Sequence, residues 1–246
     1  DEIVIPTQHL LYRYPLADTS GIPVLPLRTD IQFSIGKVGT LKGASLDAGL
    51  PLVRALARNR WFRTFRIRSN SKYKHALRVL ATTLKYNTAL QGIEVNHPPA
   101  ANKVKLLLLA RGIESNPGLV ITTLSFVSVT LSAVAHVLGR ALMSLTHLKC
   151  LTLEKASLND ASFVDIFGAA ASAEPPALAG LVALNLASNG SLGYDGAAAF
   201  RNWLTSGAGS SLRSLVLDGT IVGFDVLFAA LCTGDSIPLE FLDISA

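Results

Sequence analysis

Residues 181–189 read LVALNLASN, and residues 211–220 read SLRSLVLDGT. Each contains Leu-x-x-Leu-x-Leu, in which the x-Leu-x-Leu portion alternates as a half-buried strand does. The same pattern, with other apolar residues at some positions, opens at Phe62, Leu90, Ile121, Leu148, Leu181, Leu212 and Leu239. Successive openings are 28, 31, 27, 33, 31 and 27 residues apart. A period of this size marks a stacked array, because each unit buries its apolar side only against its neighbours.

The stretch behind each strand carries apolar residues at helical spacing and keeps one phase. Leu77, Leu80, Ala81 and Leu84 follow the first strand; Leu106, Leu109, Ala110 and Ile113 the second; Val134, Val137, Leu138 and Ala141 the third. Phe163, Ile166, Phe167 and Ala170 come next, then Gly196, Ala199, Phe200 and Trp203, then Phe224, Leu227, Phe228 and Leu231. Ser132, Asn159 and Asp195 stand where side-chain oxygens could cap first-turn amides. The expected fold is α/β: a right-handed leucine-rich-repeat solenoid, a horseshoe with parallel strands on its concave face and helices on its convex face. Residues 30–246 make up the repeat domain: one degenerate repeat with Phe33 and Ile35 in its strand and Leu46–Leu56 as its helix, six full repeats, and the start of a seventh. Residues 1–29, broken by Pro6, Pro15, Pro23 and Pro26, read as an extended lead-in or cap. The chain begins without methionine and stops two residues after Ile244, so it reads as a piece truncated at its C-terminal end.

Half of the 246 residues are hydrophobic and 16% are charged, a balance that fits a covered parallel sheet and excludes a disordered chain. Cys150 and Cys232 fall in different repeats of an elongated stack and are expected to be reduced thiols, Cys150 mostly buried between Leu148 and Leu151. That points to a reducing compartment. Asn189 opens the sequon Asn-Gly-Ser, yet its place in the motif directs its side chain to backbone inside the turn. Residues 115–139 lack Asp, Glu, Lys and Arg and are long enough to span a bilayer. Ile121, Leu124 and Phe126 fall on the strand motif and Val134 restarts the helix phase, so the repeat explains this segment and no transmembrane span is expected. Nothing at the start reads as a secretory signal.

Charge is divided unevenly. Residues 1–120 hold 17 Lys plus Arg against 7 Asp plus Glu, a net +10; residues 121–246 hold 5 against 10, a net −5. Between 54 and 85 there are ten cations and no acid: Arg54, Arg58, Arg60, Arg63, Arg66, Arg68, Lys72, Lys74, Arg78 and Lys85. Alternation places Arg66 and Arg68 together on the concave strand face. Binding-surface candidates are therefore Arg63, Arg66, Arg68, Lys72 and Lys74, with Glu94, then Thr152 and Glu154 near Lys155, and at the far end Asp218, Glu240 and Asp243. Protein partners are expected on the concave face. The basic section fits an acidic protein or anionic lipid, and a merely solvated face explains it as well. Nucleic acid is disfavoured because Trp61, Phe62, Phe65 and Tyr73 are mostly claimed by the core rather than offered for stacking. The oligomeric state is not encoded in any visible way.

No catalytic, cofactor-binding or metal-ligating constellation stands out. His9, His75, His97, His136 and His147 show no metal spacing, and His136, in an apolar helix, reads as a hydrogen-bonded structural histidine. There is no Gly-x-Ser-x-Gly elbow and no His-Glu-x-x-His. GKVGTLKG at 36–43 has the wrong order for a phosphate loop. The expectation is a scaffold without enzymatic activity or cofactor.

ALARNRWFRTFRI at 55–67, with Asn59 and the pair Trp61-Phe62 leading into a strand, resembles the first repeats of the CARMIL family. LVALNLASNGSLGYDGAAAFRNWL, LRSLVLDGT and LEFLDIS are similar to later repeats of that family. The likeness covers about 45–246. It implies a cytoplasmic regulator of the actin cytoskeleton, a linker of actin capping protein and class I myosins, close to membranes, with a lipid-binding module ahead of the repeats and the capping-protein segment beyond them. No functional residue is carried over for that activity. The consensus asparagine is present at Asn70 and Asn189 but is replaced by Pro98, Val129, Ala156 and Thr220, so those loops must satisfy their backbone by other means. The alternative is another ribonuclease-inhibitor-like adaptor: a small-GTPase regulator, an immune-sensor fragment or a subunit of a large assembly.

Overall fold

The computed structural model describes residues 32–35, 56–58, 60, 63–67, 76–97, 103–221 and 237–244. Seven strands begin two residues after the seven motif openings: β2 (Thr64–Ile67), β3 (Gly92–Asn96), β4 (Thr123–Val127), β5 (Cys150–Glu154), β6 (Ala183–Asn185), β8 (Ser214–Val216) and β10 (Phe241–Asp243). With β1 (Gln32–Ile35) they form one open parallel sheet in the order β1-β2-β3-β4-β5-β6-β8-β10. Phe33 and Ile35 sit beside Phe65 and Ile67. Short β7 (Gly190–Ser191) and β9 (Thr220–Ile221) make a separate parallel pair. The result is an α/β fold in which neighbours along the chain are neighbours in space, compatible with a solenoid.

One row across the sheet shows how the core is built. Phe65, Ile93, Leu124, Leu151, Leu184 and Leu215 stand in lateral register and are at most 1% exposed. Leu242 continues the row at the β10 edge and is 37% exposed. Behind the strands lie α1 (Ala76–Leu84), α2 (Lys103–Glu114), α3 (Ala135–Met143), then α4 (Asp160–Phe163) running through a π segment at Val164–Gly168 into α5 (Ala169–Ala171), and α6 (Tyr194–Thr205). Every apolar residue assigned from phase to these helices is buried. Leu46–Ala55 and the Phe224–Leu231 helix lie outside the described residues; Leu56 and Ala57 are helical and buried.

Turns between strand and helix repeat as strictly as the strands. His97, Ser128, Lys155, Ser188 and Gly219, each seven residues after an opening, have φ of 42°, 54°, 49°, 58° and 61°. Each of the first four donates its N–H across the stack, to Val127, Glu154, Ala187 and Asp218 respectively, at 2.6–3.0 Å. This backbone ladder explains how turns lacking the consensus asparagine stay satisfied. Asn189 fills that role with its side chain, accepting from the Ala156 and Leu158 amides and donating to the Leu153 and Leu186 carbonyls. Asn189 is buried, with its side-chain amide turned to backbone inside the turn. Thr220 partly replaces the next asparagine: its hydroxyl donates to Leu186 O and accepts from the Asn189 amide. At the return to the strand, buried Asn87 and Asn116 bind backbone in the same manner, Asn116 Nδ2 donating to Leu84 O and Asn87 O.

Two of the three expected caps are different. Asn159 does cap α4, its Oδ1 accepting from Ser162 N at 3.0 Å. Ser132 lies inside a 3₁₀ turn, Ser132–Val134, that precedes α3, and makes no cap. Asp195 is in the first turn of α6, and the carboxylate serving that end is Asp160 of the preceding repeat, which accepts from Gly196 N at 2.7 Å. Gly196 is needed there, since a Cβ would stand 2.5 Å from Asp160 Oδ1.

Candidate binding surface

On the open face of the sheet, the strand positions between core residues fall into lateral rows. One row runs Thr64, Gly92, Thr123, Cys150, Ala183, Ser214 and Phe241; the next runs Arg66, Glu94, Ser125, Thr152, Asn185, Val216 and Asp243. A shorter third row holds Asn96, Val127 and Glu154. From β4 to β8 these rows are small and uncharged apart from Glu154. Such a surface has little charge to desolvate when another molecule covers it. Cys150 belongs to this face: it is a free thiol and half-buried rather than enclosed in the core, because strand alternation turns Leu151 inward and Cys150 outward.

Among the described residues, two cations at the basic end of the face are engaged by neighbouring groups. Arg66 reaches sideways to Glu94, with Nη2 donating to Oε1 at 2.8 Å and Nε 2.6 Å from Oε2. Two candidates therefore neutralise one another. Arg63 turns its guanidinium onto a backbone carbonyl, Nη1 donating to Ala89 O at 3.2 Å. Arg68, Lys72 and Lys74 lie outside the described residues. The far end is similar: Glu240 is paired with Arg213 at the rim ahead of the strands, and Asp218 lies past β8 on the turn, where its carbonyl accepts from Ser188. Of the three distal acids only Asp243 occupies a strand position on the open face, in the same row as Arg66 and Thr152.

Glu154 and Lys155 do not pair. Lys155 takes a left-handed backbone conformation that turns it out of the strand, so adjacency in sequence does not become adjacency of charge. His136 is exposed, not an internal hydrogen-bonded group, since the buried stripe of α3 is Val137, Leu138 and Ala141. On the helix side, a groove of about 670 Å³ runs between the π segment and α6, lined by Val164, Gly168, Ala171, Ser172, Asp195 and Asn202 among others. Asp195 is its sole ionisable lining residue, and no nucleophile–base pair faces it. Among the described residues no cluster of His, Cys, Asp and Glu could hold a metal, and no helix is long and apolar enough to cross a membrane. No protein-family model and no curated protein matches the chain.

Proposed function

We propose that this chain is the leucine-rich-repeat part of a non-enzymatic interaction scaffold, a horseshoe-like solenoid that holds a protein partner on its open sheet face. One observation carries the reading: two rows of small uncharged side chains stay in lateral register from Thr123 and Ser125 to Ser214 and Val216. Rigid strands hold these positions at fixed spacing, so a partner meets a preorganised surface and little ordering cost is incurred on docking. Within that scaffold role, the likeness at 55–67 and in the segments between 181 and 245 supports a cytoplasmic regulator of the actin cytoskeleton acting near membranes.

A photo-crosslinking residue placed at Thr152 tests the face directly, with another at exposed Asn202 for comparison. In cytosol containing the parent protein's partners, adducts are expected at 152 and not at 202, and Ser125→Arg should remove them. Adducts confined to 202 would reject the open face as the binding surface.

A further inference from the structure

Unbalanced positive charge is found on the outside of the helices. Arg78, Lys85, Lys103 and Arg111, on or beside α1 and α2, are exposed and have no acidic partner among the described residues. α1 and α3 contain no acid, and the one acid of α2, Glu114, is bound to Arg140 at 3.4 Å. Helix phase sets the grouping: positions 78, 82 and 85 share one flank of α1 beside the buried stripe of Leu77, Leu80, Ala81 and Leu84, and 104, 108 and 111 lie opposite Leu106, Leu109, Ala110 and Ile113 on α2. The next helices reverse the sign, with Asp165 and Asp195 exposed.

Apolar side chains stand among these cations. Val104 is 64% exposed, directly after Lys103, and Leu107 and Leu108 are only partly buried. Leu107 and Leu108 pack against the core and leave only part of their surface open, so Val104 is the apolar side chain that projects outward among these cations. Aliphatic side chains bordered by Lys and Arg match a helix lying in the headgroup region, its carbons at the acyl boundary and its cations on phosphate. Nucleic acid would call for several exposed aromatic rings; α1 and α2 contain none, and Tyr86, in the turn just after α1, is the one exposed ring beside them among the described residues. An acidic protein would pair with the cations and cover Val104 as well, and the comparison of vesicles with polyglutamate tells the two apart.

The geometry points to a peripheral membrane-docking surface on the outside of α1 and α2, which takes an anionic phospholipid bilayer with α2 parallel to its plane. It is separate from the open sheet face and does not depend on the scaffold reading.

Flotation of the 246-residue chain with vesicles of phosphatidylcholine alone, or with 30% phosphatidylserine (about one lipid in three), tests it. Binding is expected only with phosphatidylserine and should weaken as salt rises. Lys103→Gln with Arg111→Gln should lower partitioning roughly 25-fold, about fivefold per cation. Val104→Ser leaves the charge unchanged and should still reduce binding severalfold, while Asp165→Asn should not reduce it. All four positions are exposed, and circular dichroism matching the parent confirms that a loss is not unfolding. The proposal is overturned if the parent ignores phosphatidylserine, or if the double variant binds like the parent. It is also overturned if Val104→Ser is silent while polyglutamate or an RNA oligomer binds more tightly than the vesicles, which would make the patch an acidic-polymer site.

Discussion

The helical layer over α1 to α3 and the layer over α4 to α6 solve the same packing problem in opposite ways. In the first, α2 approaches α1 closely because a side chain is missing: a Cβ on Gly112 would lie 2.5 Å from the Ala81 carbonyl oxygen, and at the joint with the second layer one on Gly139 of α3 would lie 2.5 Å from the Asp165 carbonyl oxygen of the π segment. In the second, large rings fill the space. Phe163, Phe167, Phe200 and Trp203 form one cluster with centroid separations of 4.9–6.1 Å, and the Trp203 indole N–H donates to Ala177 O at 3.2 Å. The outer surfaces differ too, basic over the first helices and acidic over the later ones. A constant strand spacing therefore fixes the sheet while leaving interhelix distance and outer charge free to vary, which is how one repeat pattern presents two unlike surfaces.

If the sheet unites the two halves, damage to its middle should spread to both. Leu184 lies between Leu151 and Leu215 in the buried row, so Leu184→Asp places a carboxylate where no polar partner exists. A loss of more than about 5 kcal/mol is expected, and hydrogen exchange should show protection lost at Leu151 and at Leu215. A melt matching the parent would break the claim of a shared core. Exchange confined to one side would show that the halves fold separately.

The contrast between rings and glycines can be sharpened with one substitution in each. Trp203→Ala removes the largest fully buried side chain among the described residues and should cost roughly 3–5 kcal/mol, through lost burial and an unfilled cavity. Gly139→Ala adds a single methyl against a backbone carbonyl that cannot rotate away and should cost about 1–3 kcal/mol. Denaturant midpoints for both report the difference. A neutral Gly139→Ala would mean that the helices at that joint are free to separate.

What the sequence showed, and what it hid, follows from the same periodicity. Strand starts and the buried stripes of α1 to α6 were legible because an apolar side chain announces its face through spacing alone. The Arg66–Glu94 pair is invisible to a reading along the chain, although its 28-residue separation equals the gap between the openings at Phe62 and Leu90. Arg213 and Glu240, 27 residues apart, match the gap from Leu212 to Leu239 in the same way. Charge read along the chain counts neighbours in sequence, whereas in a parallel stack the relevant neighbour is one period away. The Asp160 cap of α6 was hidden for the same reason, since its acceptor comes from the previous repeat. The positive-φ turns had no residue-type signal, because His97, Ser128, Lys155 and Ser188 are held left-handed by the cross-stack backbone bonds and not by glycine.

Those turns also supply the smallest and most selective test, because they are common to both halves. Ser128 lies before α3 and Ser188 before α6, with φ of 54° and 58° and equivalent N–H donations to Glu154 O and Asp218 O. A left-handed conformation costs a side-chain-bearing residue about 1–2 kcal/mol, and most of this disappears with glycine. Glycine also loses more backbone entropy on folding, by about 0.5–1 kcal/mol. Ser128→Gly and Ser188→Gly should each therefore stabilise the chain by about 0.5 kcal/mol, read as a small rise in denaturant midpoint at unchanged slope. Equal gains at both sites would show that the turn ladder belongs to the sheet and is indifferent to how the helices above it pack. A gain at one site with a loss at the other would tie the turn to its own half.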